Sequence, residues 1–439
     1  MRALQGPRET IAQNIVEQES TLSDALLRQV IAVGQVDVLV GLPTLNNAST
    51  ILDVVRAVHL SFTRDFPRLR TVMINSDGGS TDGTPDIIRA APFSDNEMVQ
   101  TSHPLRTLHR VVAPYHGLPG KHTALRAIFA AAELTQAKTL VVIDPNGPAT
   151  RPERVTELVG PIARGDVELL APRYRRHPRD GVLITQFVRP LVRALYSIAI
   201  DEPLGGEFAC LGRFSSHCLE QDIWDHESAR FAIDLWLRTE AAAERFSIGQ
   251  IWRPMTVPPG ARATLRDVVR QVGRSLIESL RAHESFWLTA SPISELHTWG
   301  IDPLDAPEPA PWDYVSLANQ ARHDIVEITP LLETVLEPGL FVRLKDITAS
   351  PQPQLDDELW VRTVYGFAAA IRHGRAALEH LVDMFVPIYL WRASAFMART
   401  EAEPPAAVQG RLDSLCDTFQ RLKPALVASW SKNQSSALP

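Results

Sequence analysis

Apolar residues in the first 34 positions recur at Ile11, Ile15, Leu22, Leu26, Val30 and Val33, a near-helical spacing that predicts a helical arm packed against a larger body. A strand is expected over residues 36–42, closed by Pro43. Asn46 or Asn47 is placed to cap the next helix, where Ile51, Val54, Val55 and Val58 form an i, i+3, i+4, i+7 stripe. A second apolar strand at 71–75 runs into the Gly-rich stretch SDGGSTDGT, and another strand is expected near 110–113. After Gly120 a helix brings Leu125, Ile128, Phe129 and Ala132 to one face. Residues 139–143 are a short, continuously apolar run, as in a strand buried on both faces. This alternation predicts an α/β unit with a largely parallel sheet and ligands at the carboxyl ends of its strands. Beyond about Pro259 the period is helical, over 265–287, 356–398 and 407–430, with a Pro- and Asp-rich irregular connection at 290–313. The chain is therefore expected to divide into an arm (1–34), an α/β domain (35–259) and a mainly α-helical C-terminal domain (260–439).

Composition narrows this picture. With 439 residues, 45% hydrophobic and 22% charged, the chain is globular, and its net charge of −7 argues against a dedicated nucleic-acid binder. Three cysteines (Cys210, Cys218, Cys416) make neither a disulfide framework nor a Cys-rich zinc site, and are read as buried thiols. The N-terminus lacks the basic and apolar blocks of a signal peptide. The apolar stretch 182–200 is interrupted by Arg189 and Arg193, so no transmembrane segment and a cytoplasmic location are expected. The Asn-x-Ser sequons at Asn47 and Asn433 are then chance matches.

Three common signatures are absent. GLPGKHT has the wrong spacing for a P-loop, no GxGxxG follows the first strand, and His226–Glu227 and His283–Glu284 lack the second His of a zincin helix. The strand ends are more informative: GLPTLNNAST, INSDGGSTDGT and VVIDPNGPAT. Glycines there let a backbone approach a nucleotide, and Asp77 can accept from base or ribose donors, although Asp77 and Asp82 could equally cap a turn.

These three segments resemble the nucleotide-sugar-binding segments of GT-A glycosyltransferases of the family-2 type. The resemblance implies a GT-A (Rossmann-like) domain with donor contacts from Pro43, Leu45, Asn46, Asp77, Asp144 and Asn146. GLPGKHTALR with Asp144 and EPLGGE further resembles the mannosylglycerate synthase and glucosyl-3-phosphoglycerate synthase group. That narrower likeness, over about residues 36–260, implies Gly120 and Lys121 at the donor diphosphate. It implies Leu204, Gly205, Gly206 and Glu207 in the acceptor pocket, and Asp234 near the reaction centre. It also implies retaining transfer to a small acidic acceptor such as glycerate or 3-phosphoglycerate, with Arg179 and Thr185 as acceptor contacts. Asp234 is read as orienting an acceptor hydroxyl, Lys121 as offsetting leaving-group charge, and Glu207 as either a pocket acceptor or a buried structural acid.

Two departures bear on the cofactor. The resemblance implies Mg²⁺ or Mn²⁺, yet the DxD-like triplet is Asp144-Pro145-Asn146, and Ala263 stands about where a metal-binding His is implied. Arg262 or Arg266 could neutralise diphosphate instead, so metal-assisted, metal-free and altered activity all stay open. Six arginines (Arg173, Arg175, Arg176, Arg179, Arg189, Arg193) stand against one acid, Asp180, over 173–193; they read either as a solvated face or as a place built for anions. The leading expectation is a hexosyltransferase using GDP- or UDP-hexose, with room for a homodimer through the helical domain. A non-catalytic nucleotide-sugar-binding protein and a sugar nucleotidyltransferase are the alternatives.

Overall fold

The computed structural model describes residues 24–91, 98–102, 120–146, 151–254, 265–289, 292–303, 306, 308–309, 312–350 and 352–431. The expected strand at 110–113, His116, most of the N-terminal arm, Arg262, Ala263 and Asn433 lie outside them. The chain forms two compact units that interleave along the sequence. One takes Met1–His109, His116–Leu170 and Gly206–Arg230, the other Arg110–Tyr115, Ala171–Gly205 and Phe231–Pro439.

In the first unit β1 (Val38–Thr44) lies between β2 (Thr71–Asp77) and β4 (Thr139–Val142), parallel to both, and β2 is parallel to β3 (Met98–Ser102). On the other side of β4 the sheet turns antiparallel. β4 pairs with β6 (Phe208–Leu211), and β6 pairs with Leu169 and Leu170 at the start of β5 (Leu169–Tyr174). The sheet is thus mixed where a largely parallel one was expected, because the chain returns to β4 through a strand running the opposite way. Pro43 does not end β1: β4 pairs only as far as Gly41, so the missing N–H of Pro43 interrupts no ladder on that side.

The helix Ile51–Asp65 buries the expected stripe of Ile51, Val54, Val55 and Val58. Its N-cap is Thr50, not Asn46 or Asn47, since both asparagine side chains are occupied elsewhere. The helix Lys121–Leu134 buries Leu125, Ile128, Phe129 and Ala132, with Phe129 edge-on to Phe208 and Trp224. It starts from Gly120 at φ 82°, a left-handed conformation that favours glycine.

The second unit is mainly helical. β7 (Ile248–Arg253) pairs with β8 (Thr298–Trp299), which among the described residues is the one regular element inside the expected irregular connection. The 356–398 pattern is two helices, Asp357–Arg372 and Leu378–Thr400, and Tyr314–Val335 is a helix that the periodicity did not single out. Leu378–Thr400 is the one helix among the described residues long and apolar enough to cross a membrane; 89% of that window is buried inside the unit, as in a central core helix. The stretch 182–200 instead holds a π-helical segment, Ile184–Val188, and the helix Arg189–Tyr196. All three cysteines are buried thiols, as expected.

Candidate active site

In a sheet ordered β3-β2-β1-β4 the chain leaves β1 in one direction and returns to β4 on the other, so the carboxyl ends of β1 and β4 form a topological switch point. The side chains there are tied together. Asn47 Nδ2 donates to Asn146 Oδ1 at 2.7 Å, joining the end of β1 to the segment after β4. Asn47 Oδ1 accepts from Leu45 N at 2.8 Å, and Asn46, at φ 55°, accepts from Thr81 N at 2.9 Å. The Asn46 bond joins the end of β1 to the turn after β2, Leu45 is held through Asn47, and Pro43 is paired with Ser76 in the sheet.

Asp77 is 2% exposed and organises that turn. Its Oδ2 accepts from Gly79 N (3.0 Å) and Ser80 N (2.8 Å), and its Oδ1 from Ser80 Oγ (2.6 Å) and Thr44 Oγ1 (2.9 Å). Asp82 likewise accepts from the Thr84 hydroxyl and backbone and from Ala48 N. Burial works to raise the Asp82 carboxyl, but those hydrogen bonds outweigh it and hold the group below the usual carboxylate range. Both aspartates therefore shape the turn, whatever else they meet.

Asp144 Oδ1 accepts from Asn146 N (2.9 Å) and from Asn146 Nδ2 (3.1 Å). The amide thus turns its NH₂ toward the carboxylate, while its oxygen is taken by Asn47. A divalent ion needs oxygens facing it, so this pair does not fit a two-ligand chelate. Among the described residues no group of three His, Cys, Asp or Glu side chains could hold a metal.

Lys121 opens its helix at 3% exposure, and its Nζ donates to Gly206 O at 3.0 Å. Next to Gly206, Glu207 is fully buried and meets Arg154 Nη2 at 2.5 Å, with Arg154 Nε at 3.4 Å. In the second unit Arg238, fully buried, donates to Gly205 O (2.7 Å) and Asp234 O (3.1 Å), and its guanidinium lies 3.5 Å from Asp234 Oδ1. Leu204 is buried in the same unit. The helix carrying Asp234 is broken at Ala232 (φ −141°, ψ 38°), two residues before it. Three successive positions, Gly205, Gly206 and Glu207, are each held by a different buried cation. Sequence reasoning missed Arg154 and Arg238. The i, i+4 spacing of Asp234 and Arg238 was a usable signal, whereas nothing local marks Arg154 as the partner of Glu207.

Five of the six arginines in the arginine-rich segment hold carboxylates. Arg176 grips Glu202 in two-pronged fashion, with Nη2 at 2.7 Å from Oε2. Arg173 and Arg189 share Asp201 (2.8 and 3.2 Å), Arg193 meets Glu295 (2.7 Å) and Arg175 meets Asp302 (3.4 Å). Burial lowers the Arg176 guanidinium, yet the Glu202 carboxylate more than offsets it, and the net direction is up. The acids absent from the local sequence are supplied from downstream. Arg179 instead donates to the carbonyl of Glu401 at 3.0 Å. Thr185 sits in the π-helical segment, 7% exposed, and its hydroxyl finds no hydrogen-bond partner among the described residues.

No protein-family model matches this chain, and no curated protein does. Among solved structures it is similar to glucosyl-3-phosphoglycerate synthase from Mycobacterium tuberculosis. The complex with Mn²⁺, uridine diphosphate and glucosyl-3-phosphoglycerate aligns at 22% identity and a TM-score of 0.40, covering 58% of this chain and 82% of that one. The complex with Mn²⁺, uridine-diphosphate-glucose and phosphoglyceric acid aligns at 22% identity and a TM-score of 0.41, covering 59% and 84%. At these values the likeness is too low to transfer an activity.

Proposed function

We propose that this protein is a GT-A-type glycosyltransferase that moves a hexose from a nucleotide donor to a small carboxylate-bearing acceptor with retention. The observation that carries the reading is the bond between Asn47 and Asn146. It closes a polar network over the switch point of an α/β sheet, where such sheets bind nucleotides. In this reading Pro43, Leu45, Asn46 and the Asp77 turn form the base and ribose crevice. Gly120 and the Lys121 ammonium face the diphosphate and offset the charge that develops on the leaving group. Leu204, Gly205 and Asp234 are acceptor contacts, Asp234 orienting a hydroxyl and Arg238 fixing both Asp234 and the Gly205 carbonyl. Because Asn146 turns its NH₂ to Asp144, no step is assigned to a metal.

The test is a donor screen of UDP- and GDP-hexoses against glycerate, 3-phosphoglycerate and related acids, with EDTA or with Mn²⁺. Transfer that survives EDTA and falls sharply in Lys121→Ala is the expected result. Absence of both turnover and nucleotide binding by calorimetry would sink the proposal. Tight nucleotide binding without turnover would favour a non-catalytic nucleotide-sugar-binding protein, the reading that the lost second carboxylate also supports.

A further inference from the structure

The second unit contains a cleft of about 770 Å³ that the transfer chemistry does not use. It is lined by the helices Tyr314–Val335 and Leu378–Thr400, by residues 352–357, by Gln186 of the π-helical segment and by Arg411. The cleft wall is fixed at Arg392, which is 5% exposed. Its guanidinium donates to Gln186 Oε1 (3.0 and 2.9 Å), to Leu355 O (2.6 Å) and to Asp357 Oδ1 (2.5 Å). Elsewhere on the wall the Tyr314 hydroxyl donates to Glu401 Oε2 at 2.7 Å, and Arg179 donates to the Glu401 carbonyl at 3.0 Å. Arg411 is held by both oxygens of Glu403. So many internal bonds leave a preformed cavity, within the roughly 300–1,000 Å³ typical of ligand sites.

The charge on the wall decides the ligand class. Arg392, Arg399 and Arg411 are balanced by Asp356, Asp357 and Glu401, and two of the three guanidiniums already hold carboxylates. That leaves no cationic surplus of the kind a phosphate or nucleotide requires. Besides Gln186 and Tyr314, whose side chains are bonded to Arg392 and Glu401, the uncharged polar groups are the amides Asn319, Gln352 and Gln354, each offering a donor and an acceptor side by side, as vicinal hydroxyls demand. Phe396, Ala395 and Pro353 add apolar surface suited to the C–H faces of sugar rings. We infer that this cleft, built from residues of the second unit alone, is a saccharide-binding site for a neutral ligand of more than one sugar ring.

Direct binding tests this independently of any turnover. Maltotriose, cellotriose and mannotriose are titrated into the full chain by calorimetry, up to about 10 mM, the weak end of specific affinity. UDP, GDP and inorganic phosphate serve as competitors. Saturable binding of at least one trisaccharide is expected, undisturbed by the nucleotides or phosphate. It should weaken about tenfold or more in Asn319→Ala/Gln352→Ala, a loss of about 1.4 kcal/mol, while the melting curve of that variant stays at wild type. Binding to none of the three sugars, full affinity in the double variant, or displacement by UDP, GDP or phosphate would each overturn the assignment. Failure of the glycosyltransferase reading would leave these results untouched.

Discussion

Gly205 tests whether the loop that joins Leu204 to Glu207 owes its glycine to a ligand or to packing. A Cβ added there would lie 2.3 Å from Cγ and 3.1 Å from Cδ of Pro172, and 3.4 Å from the Glu202 carbonyl oxygen. The proline ring is tied to its own backbone in β5 and cannot swing aside, so it or the loop must move by about 1 Å to restore ordinary contact. Overpacking of this kind costs about 1–3 kcal/mol, and shifting the Gly205 carbonyl off Arg238 adds about 1 kcal/mol. Gly→Ala returns only about 0.4–1 kcal/mol by restricting the unfolded chain. Gly205→Ala should therefore destabilise by about 1–3 kcal/mol, a fall in Tm of roughly 2–10 °C for a unit of this size. Differential scanning fluorimetry and urea unfolding measure it. Pro172→Ala in the same background removes the ring and should return a large part of the loss, as a double-mutant cycle. A Gly205→Ala protein as stable as wild type, or a double variant with no recovery, would refute the packing account and point back to close approach by a ligand.

Other expectations follow from the same contacts. Arg154→Met strands the Glu207 carboxylate in the interior and should cost about 3–5 kcal/mol by urea unfolding; Arg154→Met/Glu207→Leu should recover most of it, and equal loss in both would refute a buried pair. Thr185→Val removes a buried hydroxyl with no partner among the described residues and should stabilise by about 1 kcal/mol; a drop in acceptor affinity without that gain would instead place Thr185 in the acceptor site. Lys423 is 7% exposed, with Nζ 3.4 Å from Leu195 O, and burial pulls its pKa down to about 8. A folded pKa below the unfolded value of roughly 10.4 means the folded state binds fewer protons between those limits. The penalty is full below about pH 8 and is relieved as pH rises toward 10.4. Lys423→Met should accordingly raise Tm at pH 7 and narrow its advantage over wild type at pH 10; an advantage that does not shrink would contradict the linkage.

Local pattern carried much of the first unit. The stripes in Ile51–Asp65 and Lys121–Leu134 and the apolar runs of β1, β2 and β4 were legible because each is set by the period of a single element. β3 and β5 were not read, and neither was the antiparallel β6. A strand's existence can be local, but its partner and direction belong to the whole sheet. The candidate site divides the same way. Asp77 followed by Gly79 and Ser80 announces a turn from sequence alone, and the turn is there.

Six arginines in 21 residues left a solvated face and an anion site both open, and tertiary structure pairs five of them with Asp201, Glu202, Glu295 and Asp302. The α/β start, the helical remainder, and the strand ends that carry polar and glycine residues were legible in the amino-acid order, because propensity and periodicity act over a few residues. That Glu207 answers Arg154, that Gly205 makes room for Pro172, and that Asn146 faces Asp144 with its NH₂ came from the folded chain. Charge pairing and close packing act through space over a few ångströms, between residues whose separation along the chain carries no local mark.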